Sequence, residues 1–484
     1  MILIALIAVA LGGGIATILI APDSRRTAAG VGLGFALAAT VVAIILPIDD
    51  AAATGGAALT SSGLIRIFAI GWASGTVGLA LLELSGRRRV VSGPALLGLG
   101  AAVLALAVHD PGTGFAALGG GGLAAILLPG LAGWRGAGGD PAHLPTVVRG
   151  TWATIGSALL GIIVIAWAGS PVGPLANGPP VADPELQTAA SLALLGIVVA
   201  VGIRAGLIPA HVWAARFTEG VSPLALPAAL AWGPAAFMLV ALDWAQVAVG
   251  PVQTAGLEQA LIVLVGIASI VVGGFAAMLH DDLEHILGYS ILQDAGIGVL
   301  AFASLHSGAP DAARDWLVAT ASVKTALAAW VQVMRGTFGA HRLGDLSGWA
   351  KASPELAIAF GFVLVAAVGF PAMSLFDARI ALVDGALSGL PGLALLLVSF
   401  TPVVYLGRVA LTGIGPTSPA VEGAPSARLR WTGGREPGWS RRPVIGLIRA
   451  FPAEVRANRP ALAALAVVAL AVVGLVIAAV GVGV

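Results

Sequence analysis

Long apolar runs separated by short polar connections fill almost the whole of this 484-residue chain. A run of about twenty apolar residues has the length that crosses the ~30 Å hydrocarbon core of a bilayer as an α-helix. Counting such runs predicts an all-α protein with about fourteen transmembrane helices. The predicted spans are 2–21, 27–48, 63–84, 91–109, 112–132, 150–170, 187–207, 223–246, 258–279, 285–304, 314–334, a long and interrupted 354–384, 388–412 and 460–483.

The polar connections between these spans alternate in charge. Cytoplasmic connections of membrane proteins carry an excess of Lys and Arg, so the odd-numbered connections and the polar segment 413–459 are predicted to be cytoplasmic. The arginines of the odd-numbered connections are Arg25, Arg26, Arg87, Arg88, Arg89, Arg135, Arg149, Arg216, Arg335, Arg342 and those from Arg428 to Arg459. The even-numbered connections carry Asp49, Asp50, Asp110, Asp183 and Glu185, with Arg314 as their exception.

Two of the predicted helices carry a cation beside a Gly/Pro break. Arg204 precedes a break at 206–209, and Arg379 follows one at 369–371. A break of this kind in each half of the chain is the pattern left by inverted repeats whose unwound helices line a polar path. Because Gly and Pro are common in spanning helices, two independent kinks account for the breaks alone equally well.

Composition supports the membrane assignment and excludes several kinds of function. With 58% hydrophobic and 10% charged residues and a mean hydropathy of +0.98, the chain is an integral membrane protein whose surroundings are the lipid bilayer. A net charge of +1 without a basic, aromatic surface pattern predicts no nucleic-acid partner. The absence of cysteine excludes iron–sulfur clusters and thiolate metal sites. No two histidines lie four residues apart in the middle of a predicted span, as a haem or metal site would tend to require, so we expect no tightly bound metal or cofactor.

Lysine is almost missing from the chain, which has two lysines against twenty-three arginines. Lys351 lies in a charged loop, whereas Lys324 lies inside the apolar run Trp316–Val333, where an ammonium group is costly. A desolvated Lys can give up and regain a proton, which Arg does not do. Lys324 is therefore a candidate proton-relay residue; the alternative is that it snorkels or neutralises a nearby carboxylate.

Four stretches, in order and in register, resemble one family of membrane subunits. Arg204–Trp213 resembles K-x-G-x-x-P-x-H-x-W, Asp282–Ser290 resembles D-L-K-R-x-L-A-Y-S, Ser322–Leu327 resembles F-F-K-A-L-L, and Gly369–Arg379 resembles G-L-P-P-x-x-G-F-x-x-K. These signatures belong to the antiporter-like subunits of respiratory complex I, of multisubunit cation/proton antiporters and of membrane-bound hydrogenases. The resemblance covers at least residues 63–412.

The resemblance implies a fold and a set of partners. Members have fourteen helices, of which helices four to eight and nine to thirteen form inverted repeats that each build half a proton channel. Members sit beside other hydrophobic membrane subunits, and separate redox subunits carry the electron-transfer cofactors. The implied division is 1–90 for the first three helices, 91–250 and 251–412 for the two inverted repeats, 413–459 for a cytoplasmic connector and 460–484 for the last span.

The resemblance also implies a proton path, from which this chain departs at most positions. The family's path uses a fifth-helix Glu paired with a seventh-helix Lys, and then Lys, His or Glu in helices eight, eleven and twelve. These positions fall near Gly119 and at Arg204, Pro234, Lys324 and Arg379. Only Lys324 keeps a group that can release its proton, because an Arg holds its proton throughout a working cycle. The N-terminal half-channel is therefore predicted to be degenerate.

Two carboxylates are candidate partners of Lys324. Asp294 lies about nine residues into the tenth predicted helix, roughly 13 Å from its start, and so near the middle of the membrane. Asp377 lies two residues from Arg379. For each carboxylate, the alternative to a place on the proton path is a structural ion pair with an Arg.

Three further ionisable residues receive a more ordinary interpretation. His211 and His285 lie at the ends of predicted helices, in connections expected to be cytoplasmic, and are interpreted as interfacial histidines rather than proton entry points. Glu83 precedes a run of arginines and is interpreted as an acid solvated at the level of the headgroups.

Three functions remain open from the sequence. The first is a proton-conducting, antiporter-like membrane subunit of a redox-driven complex in a prokaryotic cell membrane, with no redox chemistry in this chain. The second is a subunit of a cation/proton antiporter, with Asp294 and Asp377 as oxygen ligands for the cation. The third is a structural membrane anchor that no longer pumps, which the missing fifth-helix Glu and eighth-helix Lys favour.

Overall fold

Helices make up almost all of the computed structural model, which describes residues 1–48, 51–54, 57–85, 90–136, 143–169, 184–252, 256–305, 308–424 and 459–482. The strands in this part of the chain form one antiparallel hairpin of β1 (Ala51–Thr54) and β2 (Ala57–Thr60). The α-helices are α1 (Ile2–Ile20), α2 (Arg25–Ile44), α3 (Gly63–Ser85), α4 (Ser92–Ala107), α5 (Pro111–Gly136), α6 (Leu144–Gly169), α7 (Pro184–Ala205), α8 (Val212–Gly220), α9 (Gly233–Ala248), α10 (Leu257–Leu279), α11 (Leu283–Val299), α12 (Ala309–Phe338), α13 (Trp349–Ala352), α14 (Pro354–Val368), α15 (Ser374–Ala386), α16 (Gly389–Ser399), α17 (Pro402–Ile414), α18 (Pro419–Glu422) and α19 (Arg459–Val480).

The multi-pass, all-α membrane fold predicted from the apolar runs is confirmed. In the described part of the chain, twelve helices are long and apolar enough to cross a membrane, or thirteen if the bent pair Leu343–Ala352 and Pro354–Val368 is one span. Each of the fourteen predicted spans overlaps a helix. The count falls below fourteen because α4 has only 16 residues and because the predicted span 354–384 is divided into α14 and α15. The division into two inverted repeats stays a prediction.

Both predicted helix breaks are present. Helix α7 ends at Ala205, where Gly206 takes a left-handed backbone with φ of 66°. Helix α14 ends before Gly369, with φ of 64°, and α15 starts five residues later. Glycine adopts this backbone region without the steric cost that a side chain brings, so each break falls where the sequence has a glycine.

Several boundaries differ from the prediction. Helix α6 begins at Leu144 rather than 150, and α8 was missed because Arg216, Thr218 and Glu219 interrupt its apolar run. The predicted span 388–412 is divided into α16 and α17 at Phe400. The predicted span 223–246 begins with a 3₁₀ turn and a π-helical turn, Pro227–Trp232, before α9 follows.

Helix α12 lies at the centre of the packed helices. It contacts α3, α11, α14, α15, α19 and the π-helical turn, and nearly all of its residues from Trp316 to Met334 are buried. Small residues allow the close approach of its neighbours: a Cβ on Gly71 would lie 2.8 Å from the ring of Trp232. A charged side chain in the middle of α12 is therefore surrounded by protein rather than by lipid.

Polar residues near odd-numbered connections contact one another, and those near even-numbered connections do the same. From odd-numbered connections, His285 Nε2 lies 3.2 Å from Glu219, and His341 Nε2 lies 3.5 Å from Asp282. Burial raises the pKa of the Asp282 carboxyl, but the neighbouring imidazole of His285 and the N–H of Glu284 outweigh that effect and keep the pKa below its ordinary value. At the opposite end, where even-numbered connections lie, Arg314 contacts Asp243, near the end of α9, at 2.8 Å. This grouping agrees with the predicted alternation of sides, although Arg87 to Arg89 and residues 425–458 of the connector lie outside the described residues.

Candidate functional site

Lys324 and Asp294 form an ion pair in the interior of the protein. Lys324 lies midway along α12 and Asp294 lies in α11, and their Nζ and Oδ2 atoms are 2.9 Å apart. The side chains are only 3% and 12% exposed. Removing either charge from water alone costs several kcal/mol, so each group stabilises the charged form of the other. The structure thus joins the lysine and one of the two carboxylates that the sequence identified.

Trp316 holds the backbone on the Asp294 side of this pair. Its indole Nε1–H donates to the main-chain oxygen of Asp294 at 2.8 Å, which links α12 to α11. Thr320, one turn along α12, donates its hydroxyl to the main-chain oxygen of Trp316 at 2.7 Å. In the sequence, Trp316 is recognisable only as the start of an apolar run, because a hydrogen bond to a distant backbone carbonyl leaves no local pattern.

A cavity of about 30 Å³ lies beside the pair. Its volume accommodates a water molecule, and Asp294, Lys324 and Thr320 supply polar groups along its wall. Pro234, the predicted counterpart of the family's eighth-helix Lys, also lines this cavity. The predicted eighth-helix and eleventh-helix positions therefore share one cavity.

Arg379 is fully buried at the second helix break. Its guanidinium donates to the main-chain oxygens of Val368, at 2.6 Å, and Ala367, at 3.3 Å. These are final carbonyls of α14, which lack partners in their own helix and carry the negative end of its dipole. Arg379 also stacks on the ring of Phe400, with Cζ 4.3 Å from the ring centroid. Main-chain oxygens and an aromatic ring thus contact its charged group, while its Nε has no hydrogen-bond partner among the described residues.

Asp377 is not part of this site. Its side chain is exposed on α15, whereas Arg379 and Lys324 are buried, and it forms no ion pair with a cation among the described residues. The two positions differ because residues two apart on a helix face different directions. Asp377 is close to Arg379 in sequence, but the helix geometry directs its side chain away from the buried site.

Arg204 is buried, with 1% exposure, at the first helix break. Its Nη1 donates to the main-chain oxygen of Ala229 at 3.1 Å, and its Nη2 has no hydrogen-bond partner in the described part of the chain. A Cβ on Gly233 would lie 2.5 Å from Nη2, and one on Gly122 would lie 3.0 Å away. The glycine of the fifth helix that faces Arg204 is therefore Gly122, whereas Gly119 faces Ala158.

The interpretation of Glu83 as a solvated acid is wrong. The side chain, expected to be solvated, is 4% exposed. One oxygen accepts the N–H groups of Val91, at 2.6 Å, and Ser92, at 2.8 Å, and the other accepts the Ser92 hydroxyl at 2.8 Å. The first N–H groups of a helix have no partner within it, so Glu83 caps the N-terminus of α4 from the end of α3.

Replacing Glu83 by Leu is expected to destabilise the fold by about 2 kcal/mol or more, because two buried N–H groups lose their acceptor. The measurement is the free energy of unfolding in detergent. The exposed Glu422→Leu serves as the control, with an expected change within ~0.5 kcal/mol. Equal effects of the two substitutions would contradict the capping role.

The two histidines lie where the sequence placed them, at helix ends. His285 is partly exposed and contacts Glu219, and His211 immediately precedes α8. Among the residues that the structure describes, no group of three His, Cys, Asp or Glu side chains is arranged to hold a metal ion.

These features define a class: a multi-pass membrane protein with a buried, oppositely charged pair on interior helices and two interrupted helices that each place an Arg at the break. The sequence profile of the family described as NADH:quinone oxidoreductase/Mrp antiporter, transmembrane, matches residues 159–404. The chain belongs to this family.

Individual relatives agree with that assignment. NADH-quinone oxidoreductase subunit N from Laribacter hongkongensis is 31% identical over 215 residues, which are 43% of this chain and 43% of the relative. The chain spans about half the length of the curated relatives it matches.

Solved structures share the fold over nearly the whole chain. A chain of respiratory complex I from Thermus thermophilus matches with a TM-score of 0.69 and 19% identity, covering 98% of this chain and 99% of that one. A chain of the Mrp complex from Dietzia sp. DQ12-45-1b matches with a TM-score of 0.62 and 18% identity, covering 98% and 97%.

Proposed function

We propose that this protein is a proton-conducting membrane subunit of a redox-driven complex, similar to NADH-quinone oxidoreductase, in a prokaryotic cell membrane. The observation that carries the proposal is the Lys324–Asp294 pair at 2.9 Å, buried beside a cavity large enough for water. The likeness to subunit N and to a chain of respiratory complex I supports the redox-driven setting. The electron-transfer chemistry then belongs to other subunits.

The pair can pass a proton because both of its states are neutral overall. A proton that moves from Lys324 Nζ to Asp294 Oδ2 converts an ion pair into an amine and a carboxylic acid, with no change in net charge. Burial strongly disfavours a single unpaired charge. Because neither state of the pair carries a net charge, burial creates a much smaller free-energy difference between these two states. A change in nearby charge shifts the balance between the states, and this is how events in a neighbouring subunit reach the pair.

The two buried arginines supply fixed positive charge to this path. Neither Arg204 nor Arg379 forms an ion pair with a carboxylate among the described residues, and neither releases its proton at working pH. Around Arg204, the N-terminal half offers glycines and Pro234 where the family has titratable side chains. This distribution supports conduction through the C-terminal half, with a degenerate N-terminal half-channel.

A cation/proton antiporter subunit is the second candidate, which the likeness to the Mrp complex favours. A hard cation needs several oxygen ligands at one place. Asp294 is instead bound to an ammonium group, and Asp377 is exposed. A third candidate, a structural membrane anchor, draws on the missing fifth-helix carboxylate, but it gives the buried pair no role.

The experiment that tests the setting is purification of the protein from its native membrane in mild detergent, followed by mass spectrometry of the subunits that accompany it. The proposal expects flavin or metal-containing redox subunits in stoichiometric amount together with other hydrophobic subunits. Recovery with small hydrophobic subunits alone would contradict the redox-driven setting and favour the antiporter.

A further inference from the structure

The turn before α9 departs from α-helical hydrogen bonding. Residues Pro227–Trp232 form a π-helical turn, and the N–H of Gly233 donates to the carbonyl of Ala228, five residues earlier. A π-helical turn inside an α-helix is rare and needs a reason. The residue after Gly233 is Pro234, which has no N–H. In α-helical hydrogen bonding, the residue at 234 would donate to the carbonyl of Leu230, and in π-helical hydrogen bonding it would donate to that of Ala229. Pro234 can do neither.

Arg204 donates to one of these two carbonyls. Its Nη1 reaches from the end of α7 to the carbonyl of Ala229 at 3.1 Å. Gly233 and Gly122 lie against the same guanidinium and leave room for it. A buried carbonyl without a partner is costly, so this contact stabilises the turn in the form that the structure has.

The turn forms one wall of the cavity beside the ion pair. Leu230 and Ala231 line it from the turn, and Pro234 lines it from the start of α9. Trp232, the last residue of the turn, donates its indole N–H to the hydroxyl of Thr325 at 2.9 Å. Thr325 is the residue after Lys324. The turn therefore contacts α12 directly at the residue next to the lysine.

We propose that Arg204 is a positioning residue for the Lys324–Asp294 pair, acting by donating to the π-helical turn in place of the N–H that Pro234 lacks. Its fixed charge and rigid donor geometry suit this task, whereas the family's lysine at the same position suits proton transfer. The inference that this affects conduction rests on the proposed function; the contact between Arg204 and the turn does not.

The test is a double-mutant cycle in the full chain. Pro234→Ala returns an N–H to the position from which Ala229 or Leu230 can be bonded, and Arg204→Met removes the guanidinium donor. The unfolding midpoint is measured for the four proteins in detergent. The expected result is that Arg204→Met is clearly more harmful in the wild-type background than in the Pro234→Ala background. Equal effects in the two backgrounds overturn the proposal.

Proton conduction in membrane vesicles that hold the whole complex gives the second readout. Arg204→Met is expected to lower conduction by roughly tenfold, the scale set by loss of a charge-assisted hydrogen bond, and to shift its pH profile. Pro234→Ala is expected to restore both in the double variant to the level of Pro234→Ala alone. If Arg204→Met only lowers the amount of assembled protein and leaves the pH profile of conduction unshifted, then Arg204 has a structural role only, and the positioning role is overturned.

Pro227→Ala is the matched control. It makes the same chemical change in the π-helical turn itself, but its new N–H lies before Ala229 and points to earlier carbonyls. It is expected not to rescue Arg204→Met, and a rescue equal to that by Pro234→Ala overturns the proposal. If Lys324→Met leaves transport unchanged while the unfolding cycle shows coupling, the proposed function fails and the contact between Arg204 and the turn stands.

Discussion

Lys324→Met is expected to lower proton movement by the complex at least about a hundredfold, the lower end of what a positioned proton-transfer group contributes. Met has similar length and no proton to exchange. Asp294 loses the cation 2.9 Å away and takes up a proton itself to avoid an unpaired buried charge. The path then has no group at this place that changes its protonation. The measurement is proton uptake into vesicles that contain the assembled complex, driven by its electron donor.

The chain provides its own control because its other lysine lies at the surface. Lys351 donates to the main-chain oxygen of Gly415 from an exposed position, and Lys351→Met is expected to leave proton movement unchanged. Lys324→Arg separates charge from proton exchange: it keeps the cation beside Asp294 but holds its proton at working pH. Both changes at Lys324 are expected to stop conduction.

Normal proton movement in Lys324→Met, with the complex assembled to the usual amount, would contradict the proton-conducting function. The structural anchor predicts that result. Conduction that survives in Lys324→Arg but not in Lys324→Met would instead mean that a fixed charge is sufficient at this position. That result would contradict the proposed proton transfer between Nζ and Oδ2, but it would still place Lys324 on the conduction path.

The ion pair shows how far the sequence reaches into the site. Lys324 is conspicuous because the chain almost always uses Arg for positive charge, and Asp294 is conspicuous because it interrupts an apolar run near mid-membrane. Both signals arise from the cost of burying charge, which acts on each residue separately. Their pairing is a tertiary contact between α11 and α12. The sequence therefore points to Asp294 and Asp377 alike, and the structure joins only Asp294 to Lys324.

Glu83 shows the opposite case. A carboxylate near a predicted helix end and three arginines has the sequence pattern of a solvated acid. Its partners are instead backbone N–H groups eight and nine residues later. Backbone donors are present at every residue except proline and give no sequence signal. The contact of Arg204 with Ala229 was missed for the same reason.

The fold itself was largely predictable because membrane length limits the choices. An apolar run that crosses the hydrocarbon core must satisfy its backbone internally, so its position fixes the helix. Two of the exceptions are α8, with its polar residues, and the π-helical turn Pro227–Trp232. The latter depends on a contact with α7, so local sequence could not reveal it.

Removing both members of the ion pair is expected to be less harmful to folding than removing either one. Lys324→Met or Asp294→Leu alone leaves the other group buried without its partner, so that this group must change its protonation or stay charged in the interior, at a cost of about 3–5 kcal/mol. The double variant replaces two charges with apolar side chains, and the adjacent cavity of about 30 Å³ gives the leucine room. The double variant is therefore expected to approach wild-type stability, with a coupling energy of at least ~3 kcal/mol.

The measurement is the free energy of unfolding for the wild type, both single variants and the double variant in one detergent. The surface pair Arg216 and Glu219 is the control, since its atoms are 3.9 Å apart and its side chains are 63% and 40% exposed. Its coupling energy is expected to be within ~1 kcal/mol. Additive effects at Lys324 and Asp294 would mean that the two charges do not stabilise each other. A double variant that folds well but conducts no protons would separate the two roles of the pair, because the charges would then be required for proton transfer and not for the stability of the helices that hold them.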